Sequence, residues 1–390
     1  MFTSRTDWSR EKQPLAQALE LRRARGDDVI DLTQSNPTRC GIEFDTGAVL
    51  KLLADPSGLD YDPQPRGLES ARGAVAGYYA DRGERVDADD IVLTTGTSEA
   101  YGYLFRLLAE PGDEVLVPAP SYPLFDFIAR IHDVVLRPYL LEYEGGWRVD
   151  LSSVERAWSS RTRALLAVSP NNPTGSYLGA SEVALLEAIC ADRGAALIVD
   201  EVFHDFAWSP QQDGPVVRRA DPPCLRFVLN GLSKVAASPQ MKLGWIVTAG
   251  PAKLAAEARH RIEILADTDL SVSSPIQVAA AGLLKQSGAI REQLLERIRK
   301  NLGTLDELVR GTSLSRLEGQ AGWYAVLRIP HLIDDEAAAI ELLNATATHV
   351  HPGNLFGFNG GAHWVVSLIC PADSFGEGIS RIAKFWSPRA

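Results

Sequence analysis

No run of apolar residues in the sequence is long enough to span a bilayer, and no basic block or arm offsets its formal net charge of -11. The first absence argues against a membrane partner. The second leaves no electrostatic footprint for nucleic acid or an anionic lipid surface. Cysteine is sparse: Cys40, Cys190, Cys224 and Cys370 lie far apart, and no pair has the spacing of a metal or redox motif. No metal site is therefore expected, and the thiols read as the reduced, structural cysteines of a cytoplasmic protein. Met1 to Pro14 is charged and lacks the apolar core of a signal peptide. Lysine is also scarce, with eight in the chain. Internal repeats and low-complexity linkers are absent. What is present is an ordinary globular balance, 45% hydrophobic and 23% charged residues over 390 positions, a length that favours two packed domains over one core.

Apolar positions Leu68, Ala71, Val75, Tyr78 and Tyr79 recur at helical spacing, so an amphipathic helix is predicted over 67–81, terminated by Gly83. Another is predicted over 14–25. Short buried-strand patterns follow at 91–95, 114–118, 163–168, 195–199, 225–229 and 243–248, with helices after Gly96 and over 181–193. β-rich runs alternating with helices indicate an α/β domain with a mostly parallel sheet. The remainder differs in character. A helical stretch at 276–310 precedes strand candidates at 322–328 and 363–369, which flank a helix at 335–346. The expected organisation is a large α/β domain over 50–275, and a smaller α+β domain formed by 1–49 together with 276–390.

Ligands of open parallel sheets bind at the carboxyl ends of the strands. The residues that follow each predicted strand are Gly96-Thr97-Ser98, Pro120-Ser121-Tyr122, Asn171-Asn172-Pro173-Thr174-Gly175, Asp200-Glu201 and Asn230-Gly231-Leu232-Ser233-Lys234. Each has an ordinary reading when taken alone: a helix cap, packing, a turn, a structural ion pair, a solvated lysine. Together they supply what pyridoxal phosphate requires. Thr97 and Ser98 open a helix, a ready site for the phosphate dianion. Asp200 ends a buried strand, where a carboxylate needs a partner such as a pyridinium nitrogen. Tyr122 offers an aromatic face and Asn172 an amide. Lys234 follows another buried strand, where a lysine of lowered pKa can form a Schiff base.

The sequence resembles the fold-type I pyridoxal-phosphate enzymes, specifically the class I/II aminotransferases related to aspartate aminotransferase. The most specific segments are Ser169-Pro-Asn-Asn-Pro-Thr-Gly175, Asp200-Glu-Val-Phe203, and Gly231-Leu-Ser-Lys234 through Lys242-Leu-Gly-Trp245. The separations, 28 residues from Asn172 to Asp200 and 34 from Asp200 to Lys234, suit that family. The resemblance implies that Lys234 forms the internal aldimine and later moves a proton, that Asp200 pairs with the pyridine nitrogen, and that Asn172 bonds the ring 3′-oxygen. It implies stacking by Tyr122, and phosphate contacts from Thr97, Ser98, Ser233 and Lys242. Tyr61 would reach the phosphate of the neighbouring subunit, which implies a homodimer with shared active sites. The implied activity is transamination of an amino acid or related small amine. The alternative is another chemistry on the same scaffold: a lyase, decarboxylase, cyclase or oxidase.

Four positions depart from the family pattern. Phe203 stands where a tyrosine is common, Gly231 where a serine is frequent, and Lys242 where an arginine is usual. The fourth concerns the substrate. The family carries an arginine near the C-terminus that clamps the α-carboxylate, and the matching stretch here is His363-Trp-Val-Val-Ser-Leu-Ile369, with Val365 or Trp364 in its place. Arg39, beside Asn36-Pro37, is the candidate substitute, so Asn36 and Arg39 are the expected substrate residues. Trp147, Trp323 and Tyr324 are candidates either for the pocket wall or for the core.

Overall fold

Six short apolar runs, bounded by glycine, proline or polar turns, become six of the eight strands of one sheet. A computed structural model describes residues 1–9, 11–209, 221–330, 334–358, 360 and 362–387. The sheet order is Ile91–Thr94, Gly244–Ala249, Arg226–Gly231, Ala196–Asp200, Thr162–Val168, Glu114–Ala119, Val135–Tyr143, Trp147–Val149. Neighbours from Arg226–Gly231 to Val135–Tyr143 pair in parallel. The Gly244–Ala249 strand is antiparallel to both of its neighbours, so Ile91–Thr94 beyond it points the same way as the parallel set. The five strands whose following residues matter for chemistry therefore all end on one edge.

Helices cover both faces, as a parallel sheet requires. One face buries Val75 and Tyr79 of the Glu69–Asp81 helix, Val183 and Leu186 of Ala180–Asp192, and Leu283 of Ser274–Val309. The other buries Tyr101, Leu104 and Phe105 of Thr97–Leu108 against Ala258, Ile262 and Ala266 of Ala252–Asp269. The Glu69–Asp81 helix ends where Gly83 turns back at φ 75°, a conformation cheap for glycine.

A second core lies around a four-stranded antiparallel sheet, ordered Ser315–Arg316, Tyr324–Ile329, Ala362–Ser367, His351–Pro352. It is packed by the helices Pro14–Ala24, Asp335–Thr346 and Ala372–Phe385. The short strand Ile30–Asp31 pairs in parallel with Thr348–His349. The 36-residue helix Ser274–Val309 joins the two cores. Ala279, Ala280, Leu283 and Leu284 enter the first, and Ile290, Leu294, Ile298 and Leu305 enter the second. Among the described residues no helix is long and apolar enough to cross a membrane.

Candidate active site

A cavity of about 460 Å³ opens at the shared strand edge and reaches Ser35 and Tyr324 of the second core. Thr97, Ser98, Tyr122, Asn172, Asp200, Ser233, Lys234 and Lys242 all line it. These eight sequence-predicted residues come from segments up to 145 positions apart (Thr97 to Lys242).

Lys234 sits on the one-turn helix Leu232–Val235 that follows the Arg226–Gly231 strand. Its ammonium lies 4.8 Å from the Trp323 ring centre and 5.4 Å from that of Phe203. Burial lowers its pKa to about 8, while the charge of Asp200 partly opposes the shift. Phe203, which the resemblance marks as a departure, thus forms part of an aromatic wall around the amine.

Asp200 is the last residue of its strand and is 6% exposed. Burial pushes its carboxyl above the usual range. The Tyr101 hydroxyl donates to it at 2.6 Å and the Val202 backbone N–H at 3.0 Å, both favouring the ionised form. Glu201, the next residue, points to the other face by strand alternation, where Tyr79 donates to it at 2.9 Å and Arg82 lies 3.4 Å away. One residue of the Asp-Glu pair serves the cavity and the other the core.

At the anion end, Thr97 and Ser98 are the first two residues of the Thr97–Leu108 helix, whose leading N–H groups lack intrahelical partners. Gly244 lies against Gly96 so closely that an added Cβ would meet the Gly96 Cα at 2.8 Å. Lys242, two residues earlier, adopts a left-handed conformation (φ 52°). That close approach brings the Lys242 and Ser233 loops to the helix start.

Asn172 is 8% exposed, and its Oδ1 is buried without a hydrogen-bond partner among the described residues. Its neighbour Asn171 holds the loops together. The Asn171 amide donates to the Pro120 carbonyl and to Thr174 Oγ1, each at 3.0 Å, and Ser121 Oγ lies 3.1 Å from its Oδ1. This ties the Tyr122 loop to the Asn172 loop. The Tyr122 ring in turn packs edge-on to Phe125 at 5.5 Å.

Three sequence-predicted residues are not brought into the cavity. Asn36 accepts from the Thr38 N–H and caps a short turn, Pro37–Arg39. Arg39 is exposed at the end of that turn. Tyr61 is 80% exposed and lines a separate cleft with Pro63, Ser271 and Gln277. Of the uncertain aromatics, Tyr324 lines the cavity and Trp323 covers Lys234, whereas Trp147 packs in a small apolar cluster with Phe358 and Tyr143. Sequence reasoning missed Tyr101 and read Asn171 only as part of the segment that carries Asn172. The signal for Tyr101 was its place one turn after Thr97, which puts both on one helix face.

The donor set fits pyridoxal phosphate. A buried carboxylate suits a ring N–H, an unused buried amide oxygen suits the ring hydroxyl, a helix start with a lysine suits the phosphate, and an amine of lowered pKa suits the aldehyde. Residues 27–366 match the family model for aminotransferase class I and II. The glutamate-pyruvate aminotransferase AlaA of Escherichia coli K12 is 26% identical over 371 residues, covering 93% of this chain and 91% of that protein. An alanine aminotransferase of Mycobacterium bovis is 27% identical over 379 residues, covering 93% and 86%. The structure of an alanine aminotransferase from Pyrococcus furiosus superimposes with a TM-score of 0.89 at 23% identity, over 99% of both chains. The fold is thus that of the fold-type I enzymes.

This chain belongs to the class I and II aminotransferase family. It is a pyridoxal-phosphate-dependent enzyme of that kind, and the lyase, decarboxylase, cyclase and oxidase alternatives are not favoured.

Proposed function

We propose that Lys234 carries the cofactor and transfers the proton between the substrate carbon and the cofactor during transamination of a small amino compound. The observation that carries this reading is the amine of Lys234, lowered to about 8 and enclosed by Phe203 and Trp323, in the same cavity as the buried carboxylate of Asp200. An amine near that value is largely neutral at mildly alkaline pH, and so is both a nucleophile and a proton acceptor. The cofactor, when bound, supplies an electron sink for the bond electrons of the substrate carbon. Asp200 holds a proton on the ring nitrogen, Asn172 bonds the ring oxygen, and Tyr122 orients the ring. Thr97, Ser98, Ser233 and Lys242 hold the phosphate.

The same reading assigns exposed Tyr61 to the phosphate of a second subunit, making the working form a homodimer in the cytoplasm. It assigns the domains to 50–275 and to 1–49 with 276–390, with Asn36 and Arg39 on a loop near the substrate. Absorbance spectra of the wild type and Lys234→Ala test the central assignment. A yellow band is expected in the wild type alone, converted by an amino donor. A band of equal strength in Lys234→Ala would refute the role of the lysine.

A further inference from the structure

A substrate amine that reaches the aldehyde held at Lys234 brings its own carbon within the cavity. If that carbon bears a carboxylate, the anion enters as well. A carboxylate taken out of water needs a cation or several N–H donors, or it costs several kcal/mol. Among the described lining residues the cations are Lys234 and Lys242. Lys234 is used by the cofactor, and Lys242 stands at the helix start with Thr97 and Ser98.

The wall formed by Ser35 and Tyr324 is uncharged, with Ser35 set against the Tyr324 hydroxyl. Behind it the second sheet continues through Val326 and Val365, flanked on the same face by Ser367 and by His363, which stacks on Phe358 at 4.6 Å. Tyr324 and Val326 share one face of their strand, and Val326 pairs with Val365 of the Ala362–Ser367 strand. Val365 is 0% exposed and packs with Leu317, Val326 and Phe356. It occupies the position where the family resemblance expects the carboxylate-binding arginine. Trp364, the other alignment, faces away and donates from Nε1 to the Asp335 carbonyl.

Nearby basic groups do not replace that arginine. His351, paired opposite Val365, has its imidazole pushed down to about 4 by burial, so it is neutral at pH 7. Arg297 donates to the carbonyls of Cys40 and Cys370. Arg328 is exposed over the Tyr143 ring at 5.7 Å, four residues along the strand from Tyr324, roughly 13 Å at the rise of an extended chain. Arg39 lies outside the lining.

We propose that the amino substrate carries no carboxylate on the carbon bearing its amine, being instead a primary amine with an apolar or hydroxyl-bearing group there, and that Val365, packed behind the lining and not in it, contributes by leaving no cation at that wall. The inference rests on the cofactor assignment made above and departs from relatives named for alanine and glutamate. The reaction balances as in any transamination. The amine-bearing carbon is oxidised to an aldehyde or ketone whose oxygen comes from water, and the cofactor keeps the amino group and the electron pair.

The test uses holoenzyme and two kinds of matched probe. Non-reacting isocaproate and isohexanol are titrated calorimetrically, and reacting L-leucine and isoamylamine are followed by loss of the cofactor band. The alcohol is expected to bind at least about tenfold tighter than the carboxylate, a difference of about 1.4 kcal/mol, and the amine to react faster than the amino acid. Val365→Arg is expected to raise isocaproate affinity at least about tenfold. An arginine buried in that apolar cluster works against folding, so the wild-type comparison decides by itself. Isocaproate binding as tightly as isohexanol, or L-leucine reacting as fast as isoamylamine, would overturn the proposal while leaving the cofactor assignment intact. No band that depends on Lys234 would instead remove the assignment on which it stands.

Discussion

The lowered pKa of Lys234 comes from burial between two aromatic rings, with Asp200 too weak an influence to restore it. Its sign fixes a pH dependence. Below pH 8 the amine is protonated and cannot attack an aldehyde, so capture of pyridoxal phosphate by the cofactor-free protein should rise about tenfold per pH unit up to 8 and then level off. A lysine at its ordinary value of 10.5 would keep accelerating to pH 10. Rapid mixing at a series of pH values distinguishes the two. Stability follows the same group. Between pH 8 and 10.5 the unfolded chain holds more protons on this lysine than the folded one, so the cofactor-free protein gains stability as pH rises through that window. Tyr101 acts on Asp200 in the other direction, its short hydrogen bond favouring the ionised carboxylate that a ring N–H requires.

At the scale of elements, the loop from Asn171 to Gly175 is the joint between the two cores. The Gly175 carbonyl accepts from the Gln320 and Ala321 N–H groups, each at 2.9 Å. Gly175 has φ +70°, and an added Cβ would overlap the Ala321 carbonyl oxygen. Gly145, in the hairpin between Val135–Tyr143 and Trp147–Val149, has φ +73° with nothing within 4 Å. Both alanine variants incur the left-handed penalty of about 1–2 kcal/mol, but only Gly175→Ala adds an overlap worth about 1–3 kcal/mol more. Gly175→Ala should therefore lower Tm clearly further than Gly145→Ala, and equal losses would show that the joint can yield. The six strands with nearly continuous apolar runs were legible in the sequence because burial on both faces leaves few polar interruptions, Arg226 among them. Val135–Tyr143 was not legible, since it lies towards the sheet edge, is half exposed, and carries Arg137, Pro138 and Glu142. The Ala252–Asp269 helix buries mainly alanines, a faint stripe in a charged sequence. Seven cavity residues were readable from strand ends, and Lys242, which precedes a strand, only through the family resemblance. Tyr101 was hidden among the helix's core residues, and Asn171 was overshadowed by its neighbour.

At the scale of the whole molecule, the assignment of Tyr61 to a neighbouring site can be tested by mixing subunits. Tyr61→Ala and Lys234→Ala homodimers should each be impaired. A hybrid of the two contains one site with an intact Lys234 and an intact Tyr61 from the other chain, so mixing after mild unfolding should restore up to half of the activity per hybrid. No recovery in a hybrid verified by mass would rule out a shared site. The second core carries another consequence, one of time. Leu32, fully buried, follows a strand whose Asp31 meets His349, a partner 318 residues later in the chain. At about 5–20 residues per second of synthesis, the ribosome releases that apolar segment roughly a quarter of a minute to a minute before its shelter exists. The newborn protein should therefore lean on chaperones through most of its own translation.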